Sequence, residues 1–316
     1  AVPSFWSDLV RLMRVLVSLI VKTLLYFDIF SYPLTPREIL LNCGTPVTDV
    51  TEFHAALANL VEAGQVKQID GQYLVNGNAT WIDRKVMGAN VARKYLKNAH
   101  RMSWLLAHFP FVRGISLSGS LSKGYADKKA DIDYFIITAP GRLWLCRTFI
   151  VLFKKIFLLN SRKWLCPNYF IDDESLVIPD QNVFTATEIA YLYPTFNLEL
   201  HNRFKAANSW IHDYKPNYHV ATGSKDVKYP IFFIKKVAEW LLGGRFGDRL
   251  DDFCYSLTTK FWRRKFQGYN RQEYLHAFRS KKNTSKHHPQ NFQKQVLEKL
   301  EQQKQKFERD FEVKLS

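Results

Sequence analysis

Asp131 and Asp133 stand one residue apart, directly ahead of the apolar run Tyr134-Phe135-Ile136-Ile137. In a β-strand, residues i and i+2 point to the same face. The spacing therefore predicts two carboxylates projecting side by side from the start of one strand, with Ile132 facing the other way. Held that close, two carboxylates repel each other unless a cation sits between them. Mg²⁺ suits the position, because it takes few protein carboxylates and completes its shell with phosphate oxygens and water; Mn²⁺ is the alternative. Upstream, the run Gly114 to Leu117 leads into the small-residue turn Ser118-Gly119-Ser120. Gly119 lets backbone approach a phosphate. Ser120 adds a hydroxyl donor, or caps the short helix that Ser120 to Gly124 is expected to begin. Lys123 is either a phosphate partner or surface charge. Carboxylates for a metal beside a turn for phosphate point to phosphoryl or nucleotidyl transfer.

These side chains need strands to hold them. Val112 to Leu117 and Asp131 to Thr138 read as strands, Arg142 to Leu159 as a long apolar helix, and Asn168 to Ile171 as a third strand that ends in Asp172-Asp173-Glu174. The helix Ala89 to His108 precedes them. Strand, helix and strand around a carboxylate site predict an α+β core: a small mixed sheet with helices.

The stretch Gly119-Ser120, Gly124 and Asp131-Ile132-Asp133 resembles the signature of the DNA polymerase beta-like nucleotidyltransferase superfamily. It is most similar to the minimal nucleotidyltransferase branch, which reads Gly-Ser-x-Ala-x-Gly and then Ser-Asp-Ile-Asp. Lys123 stands where that branch often has Arg or Lys; Ser122 replaces the Ala and Ala130 the Ser. The motif occupies a small part of the chain. The resemblance implies a nucleotidyltransferase fold, an NTP as substrate and Mg²⁺ held by Asp131 and Asp133. It implies Gly119, Ser120 and Lys123 at the nucleotide, and a hydroxyl acceptor on RNA, protein or a small molecule. It also implies a third carboxylate on a neighbouring strand, often the base that receives the acceptor proton. Asp172 is the expected residue, with Asp173 and Glu174 competing.

Composition bounds the partners. The chain of 316 residues carries a formal net charge of +16. That balance favours a polyanion: RNA, DNA, an anionic membrane surface or a nucleoside triphosphate. Cys43, Cys146, Cys166 and Cys254 are widely spaced, with no zinc-type cluster. They read as reduced, buried thiols of a cytoplasmic protein. The apolar run Leu12 to Phe30 contains Arg14, Lys22 and Asp28 and lacks the cleavage region of a signal peptide. It is expected to be a buried helix rather than a membrane contact.

The remaining organisation reads as three domains: 1–85, 86–180 and 181–316. In the first, a helix over Leu9 to Phe27, a second from Thr35-Pro36, a third to Glu62, and a hairpin about Asp70-Gly71 resemble a winged helix-turn-helix. The third helix has Asp49, Glu52 and Glu62 but no Lys or Arg, which disfavours phosphate contact and favours a packing or protein-docking role. A nucleotide-sensing DNA-binding regulator with a degenerate transferase domain is the alternative function. The last domain is expected to be almost wholly helical. In it, Lys286, His287 and His288 either touch nucleotide or acceptor, or form a solvated loop. Glu188 and Glu199 are expected to be structural.

Overall fold

The computed structural model describes residues 2–218, 233–287 and 291–315. The chain opens with α1 (Val2–Asp28), α2 (Pro36–Asn42) and α3 (Val50–Glu62), followed by a hairpin of β1 (Lys67–Ile69) and β2 (Gln72–Leu74). Thr35 and Glu38 cap α2 reciprocally. The Glu38 N–H donates to Thr35 Oγ1 at 3.3 Å, and the Thr35 N–H donates to Glu38 Oε2 at 2.8 Å. Asp70 and Gly71 adopt φ of 49° and 70°, the left-handed pair that a two-residue hairpin turn requires. Ile20, Leu24 and Leu25 of α1 share one core with Phe53 and Leu57 of α3. Asp28 closes α1 and accepts from the Val75 and Asn76 N–H groups at 3.1 and 2.7 Å, tying the helix to the hairpin exit. Among the described residues no helix is long and apolar enough to cross a membrane.

After α4 (Ala79–Ala107) come β3 (Val112–Ser118), the single turn α5 (Gly119–Ser122), β4 (Asp133–Thr138), α6 (Leu143–Phe157), β5 (Cys166–Asp172), α7 (Val183–Ala190), β6 (Tyr193–Phe196) and α8 (Leu198–Ala207). A 3₁₀ turn, Ser209–Asp213, follows. Further on lie α9 (Phe233–Leu241), α10 (Arg245–Lys265), α11 (Arg271–Ala277), β7 (Ser280–Lys281), β8 (Thr284–Lys286) and α12 (Phe292–Asp310).

The fold is α+β, with a six-stranded mixed sheet in the order β6-β3-β4-β5-β8-β7. Only the β4–β5 pair is parallel among the described strands, because α6 carries the chain back to the end of the sheet where β4 began. Alternation along β4 separates two cores. Tyr134 and Ile136 pack with α4, α6 and α10; Phe135 and Ile137 pack with α7 and α8.

The expected boundary at 180 does not divide the packing. β6, β7 and β8 all lie beyond it and join the central sheet, and Val296 and Phe307 of α12 enter the core of α1. The C-terminal part is therefore not a separate helical unit. Its strands run only two to four residues, too short for a period-2 pattern to register. Pro194 sits in β6, which is an edge strand where proline is tolerated.

Candidate functional site

β3 ends and β4 begins at the same point of the sheet, where Ser118 is paired with Asp133. The next residue, Gly119, turns with φ 70°. Glycine is required there on two counts: the left-handed conformation, and the carboxylate beside it. A Cβ on Gly119 would lie 2.5 Å from Asp133 Oδ2. The glycine bend and the second aspartate are thus in contact. Ile132 is fully buried in the core under α4 and α6, and Asp131 and Asp133 flank it, both partly exposed. Asp131 makes no hydrogen bond or ion pair among the described residues.

Asp133 is held by β5. Cys166 is its partner in the ladder, and the register slips just after it, with Tyr134 opposite Pro167 and Phe135 opposite Tyr169. Asn168 is the extra residue of that bulge. Its Nδ2 donates to Asp133 Oδ1 at 2.5 Å, and the Cys166 thiol donates to Asn168 Oδ1 at 3.1 Å. Burial pushes the Asp133 carboxyl up to about 7, and the Asp131 charge adds to the rise; the Cys166 and Asn168 donors pull the other way. Burial also pushes the Cys166 thiol up to about 12.

On the α7 side, Glu188 closes the bend. Its Oε1 pairs with Lys123 Nζ at 2.7 Å, and its Oε2 accepts from the Gly119 N–H at 3.3 Å. Lys123 Nζ also donates to the Gly119 carbonyl at 3.0 Å. A side-chain carboxylate thus satisfies the amide and ammonium donors expected to meet phosphate. Ser120 is exposed, and its hydroxyl has no hydrogen-bond partner among the described residues. Lys154 is buried on α6; burial lowers its pKa, while Cys166 and Asp131 act to raise it.

Asp172 is not part of this site. It is paired with Thr138 at the far end of the parallel β4–β5 ladder, while Asp133 is paired with Cys166 at the near end. At roughly 3.3 Å per residue the separation is about 17 Å. Asp173 is held at that same far end, where its N–H donates to the Thr138 carbonyl, and Glu174 follows it. The reason is topological: in a parallel pair like ends align, so a carboxylate that finishes β5 cannot face one that starts β4. Asn168 occupies the facing position. The signal was available in the strand–helix–strand pattern, which implies a parallel pair. Glu188, expected to be structural, pairs with Lys123 and accepts from the bend; it is the third acid near the bend, and no local pattern marks that position.

His287 donates its backbone N–H to the Asn168 carbonyl at 3.1 Å, while its ring lies tilted against Trp262, 4.8 Å between centroids. Lys286 is engaged by Gln293 at 2.9 Å and Asp180 at 3.5 Å. His288 lies outside the described residues. Two surface clefts, about 710 and 720 Å³, are lined by other residues.

Among the described residues, no group of three or more His, Cys, Asp or Glu side chains is placed to hold a metal. The two aspartates still fit Mg²⁺, which takes only one or two protein carboxylates. A half-buried carboxyl raised first by burial and then by its acidic neighbour is an electrostatic environment that a divalent cation relieves. No family model, curated protein or solved structure matches the chain.

Proposed function

We propose that the chain is a Mg²⁺-dependent nucleotidyltransferase that moves a nucleoside monophosphate from an NTP to a hydroxyl acceptor on RNA, protein or a small molecule. The observation that carries this reading is the contact between the Gly119 bend and the Asp133 carboxylate, with Asp131 beside it. The sheet of β3, β4 and β5 is the nucleotidyltransferase core in this reading. The first three helices with their hairpin are a winged-helix-like docking module. The four free thiols fit a reducing, cytoplasmic setting.

Mg²⁺ bound by Asp131 and Asp133 would supply charge neutralisation at the triphosphate and the leaving pyrophosphate. The Gly119 bend keeps side chains away from the Asp133 oxygen, so that the polyphosphate can approach. Lys123 and the Gly119 N–H meet phosphate oxygens once Glu188 yields them. The acceptor oxygen attacks the α-phosphorus, the bond to pyrophosphate breaks, and the acceptor proton passes to a base. With Asn168 facing Asp133, β5 offers no acid for that role; Asp131 is the candidate base. Positioning and electrostatics would supply most of the rate.

The test is incubation with each labelled NTP, Mg²⁺ and cell lysate, followed by separation into RNA, protein and small-molecule fractions. Label should enter one fraction with the wild type and not with Asp131→Ala. Equal labelling by both, or none by either, contradicts the reading.

One observation favours the second reading, a nucleotide-sensing regulator with a degenerate transferase domain: an amide, Asn168, stands where a third carboxylate is expected. Against it, α3 carries Glu52 and Glu62 and no Lys or Arg. A gel-shift assay at fixed salt separates the two. Sequence-selective DNA binding unaffected by Asp133→Asn would support the regulator.

A further inference from the structure

α9 is built inside out. Its charged face is docked into the protein. Lys235 Nζ donates to the Ala107 and Val112 carbonyls, both at 2.7 Å. Glu239 pairs with Arg113 at 2.8 Å and accepts from the Phe111 N–H at 2.6 Å. The opposite face is apolar and open: Phe233, Ile234 and Trp240 are 77 to 80% exposed, with Leu241 beside them. At 100° per residue these side chains fall within an arc of about 120°. α10 carries a second apolar stripe. Phe246, Phe253, Leu257 and Phe261 are exposed, and their spacing of seven, four and four confines them to an arc of about 80°.

The two helices are fixed relative to each other. The buried Arg142 guanidinium donates to the Leu242, Gly243 and Gly244 carbonyls between them, at 2.9, 2.6 and 3.1 Å, and to Asp248 at 2.6 Å. Gly247 packs so tightly there that a Cβ would strike the Leu242 carbonyl. The two stripes are therefore carried on helices joined by a fixed link rather than on a frayed end. Exposed patches of this kind mark interaction sites.

Charge selects the occupant. Lys236, Arg249, Lys260 and Arg264 are exposed along the stripe, whereas Asp248 and Asp252 are neutralised by Arg142 and Lys282. A second copy would bring like charges together. Aromatic and aliphatic side chains flanked by Lys and Arg are the composition of helices that lie in the plane of an anionic bilayer. We propose that α9 and α10 form a peripheral docking surface for anionic lipid, with Phe233, Trp240, Phe253 and Phe261 entering the headgroup region. This surface is separate from α1, whose Ile20, Leu24 and Leu25 are consumed by the core.

The test is sedimentation of the full chain with phosphatidylcholine vesicles, with and without phosphatidylglycerol. Binding should require phosphatidylglycerol and weaken as salt rises. Trp240→Glu and Phe253→Glu, both surface changes, should each weaken it on the order of tenfold. Brominated acyl chains should quench tryptophan fluorescence, and Trp240→Phe should remove that quenching. The proposal is overturned by equal binding to neutral vesicles, or by no binding to either. It is also overturned if light scattering shows a dimer that Trp240→Glu dissolves, or if the stripe captures an acidic protein while ignoring vesicles.

Discussion

Asp133 and Asp172 begin and end the same two-strand ladder, and they teach opposite lessons. Each carries a carboxyl raised by burial. At the near end Asp133 meets another acid, a glycine bend where a Cβ would crowd its Oδ2, and donors from Asn168 and Cys166. At the far end Asp172 is buried, hydrogen-bonded by Ser175, and beside no such bend. Burial alone does not make a site. The difference is a second acid and a glycine bend beside the carboxyl.

The largest expected effect breaks that comparison directly. Asp131→Ala and Asp133→Asn should each lower transfer by about 10²–10³-fold, the scale for losing one preorganised transition-state partner. Asp172→Asn should leave the rate within about threefold. Steady-state kinetics with the labelled NTP decide this, and equal losses at both ends would dissolve the distinction.

Next comes the bend. Gly119→Ala places a methyl group against the Asp133 carboxylate at a left-handed position. It should cost about 1–3 kcal/mol in stability and depress transfer as well. Gly141, also left-handed but with open space around it, is the control: its alanine variant should lose stability and not activity. Denaturant melts together with kinetics read both.

The pH dependence sharpens the contrast further. The folded chain holds a proton on Asp133 up to about pH 7, whereas an ordinary unfolded carboxyl has lost it by about pH 4. Without a cation, stability therefore falls as pH rises through that window. Mg²⁺ must displace the same proton, so its stabilising effect should grow from pH 5 to about 7 and then level off. Asp28, raised to about 6 by burial, has the same sign. The informative quantity is thus the difference between wild type and Asp133→Asn in thermal melts with and without Mg²⁺.

The smallest effect concerns the gate at Lys123. Glu188→Gln releases a partly buried ion pair and should change stability by about 1 kcal/mol or less. It should lower the apparent KM for NTP by freeing the Lys123 and Gly119 donors. A raised KM would mean that Glu188 serves the substrate rather than competing with it.

The local features of this fold were legible. Thr35-Pro36-x-Glu38 reads as a cap and forms one; Asp70-Gly71 reads as a hairpin turn and forms one. The aspartate spacing and the glycine turn pointed to one place, and they meet there. What was missed depends on neighbours distant in the chain. Asn168 reaches Asp133 only because a bulge turns it, and Glu188 reaches Gly119 only because α7 packs under the bend. Nor does periodicity reveal which face of α9 points outward. Lys235 and Glu239 are charged, yet they face inward, held by backbone carbonyls and Arg113.

The central claim is that Asp131, Asp133 and the Gly119 bend jointly hold a cation and a nucleotide's polyphosphate. Calorimetric titration with a non-hydrolysable NTP, with and without Mg²⁺, tests it most directly. Wild type and Asp172→Asn should bind only when Mg²⁺ is present, and Asp133→Asn should not bind. Unimpaired Mg²⁺-dependent binding by Asp133→Asn, or no binding by the wild type, would contradict it.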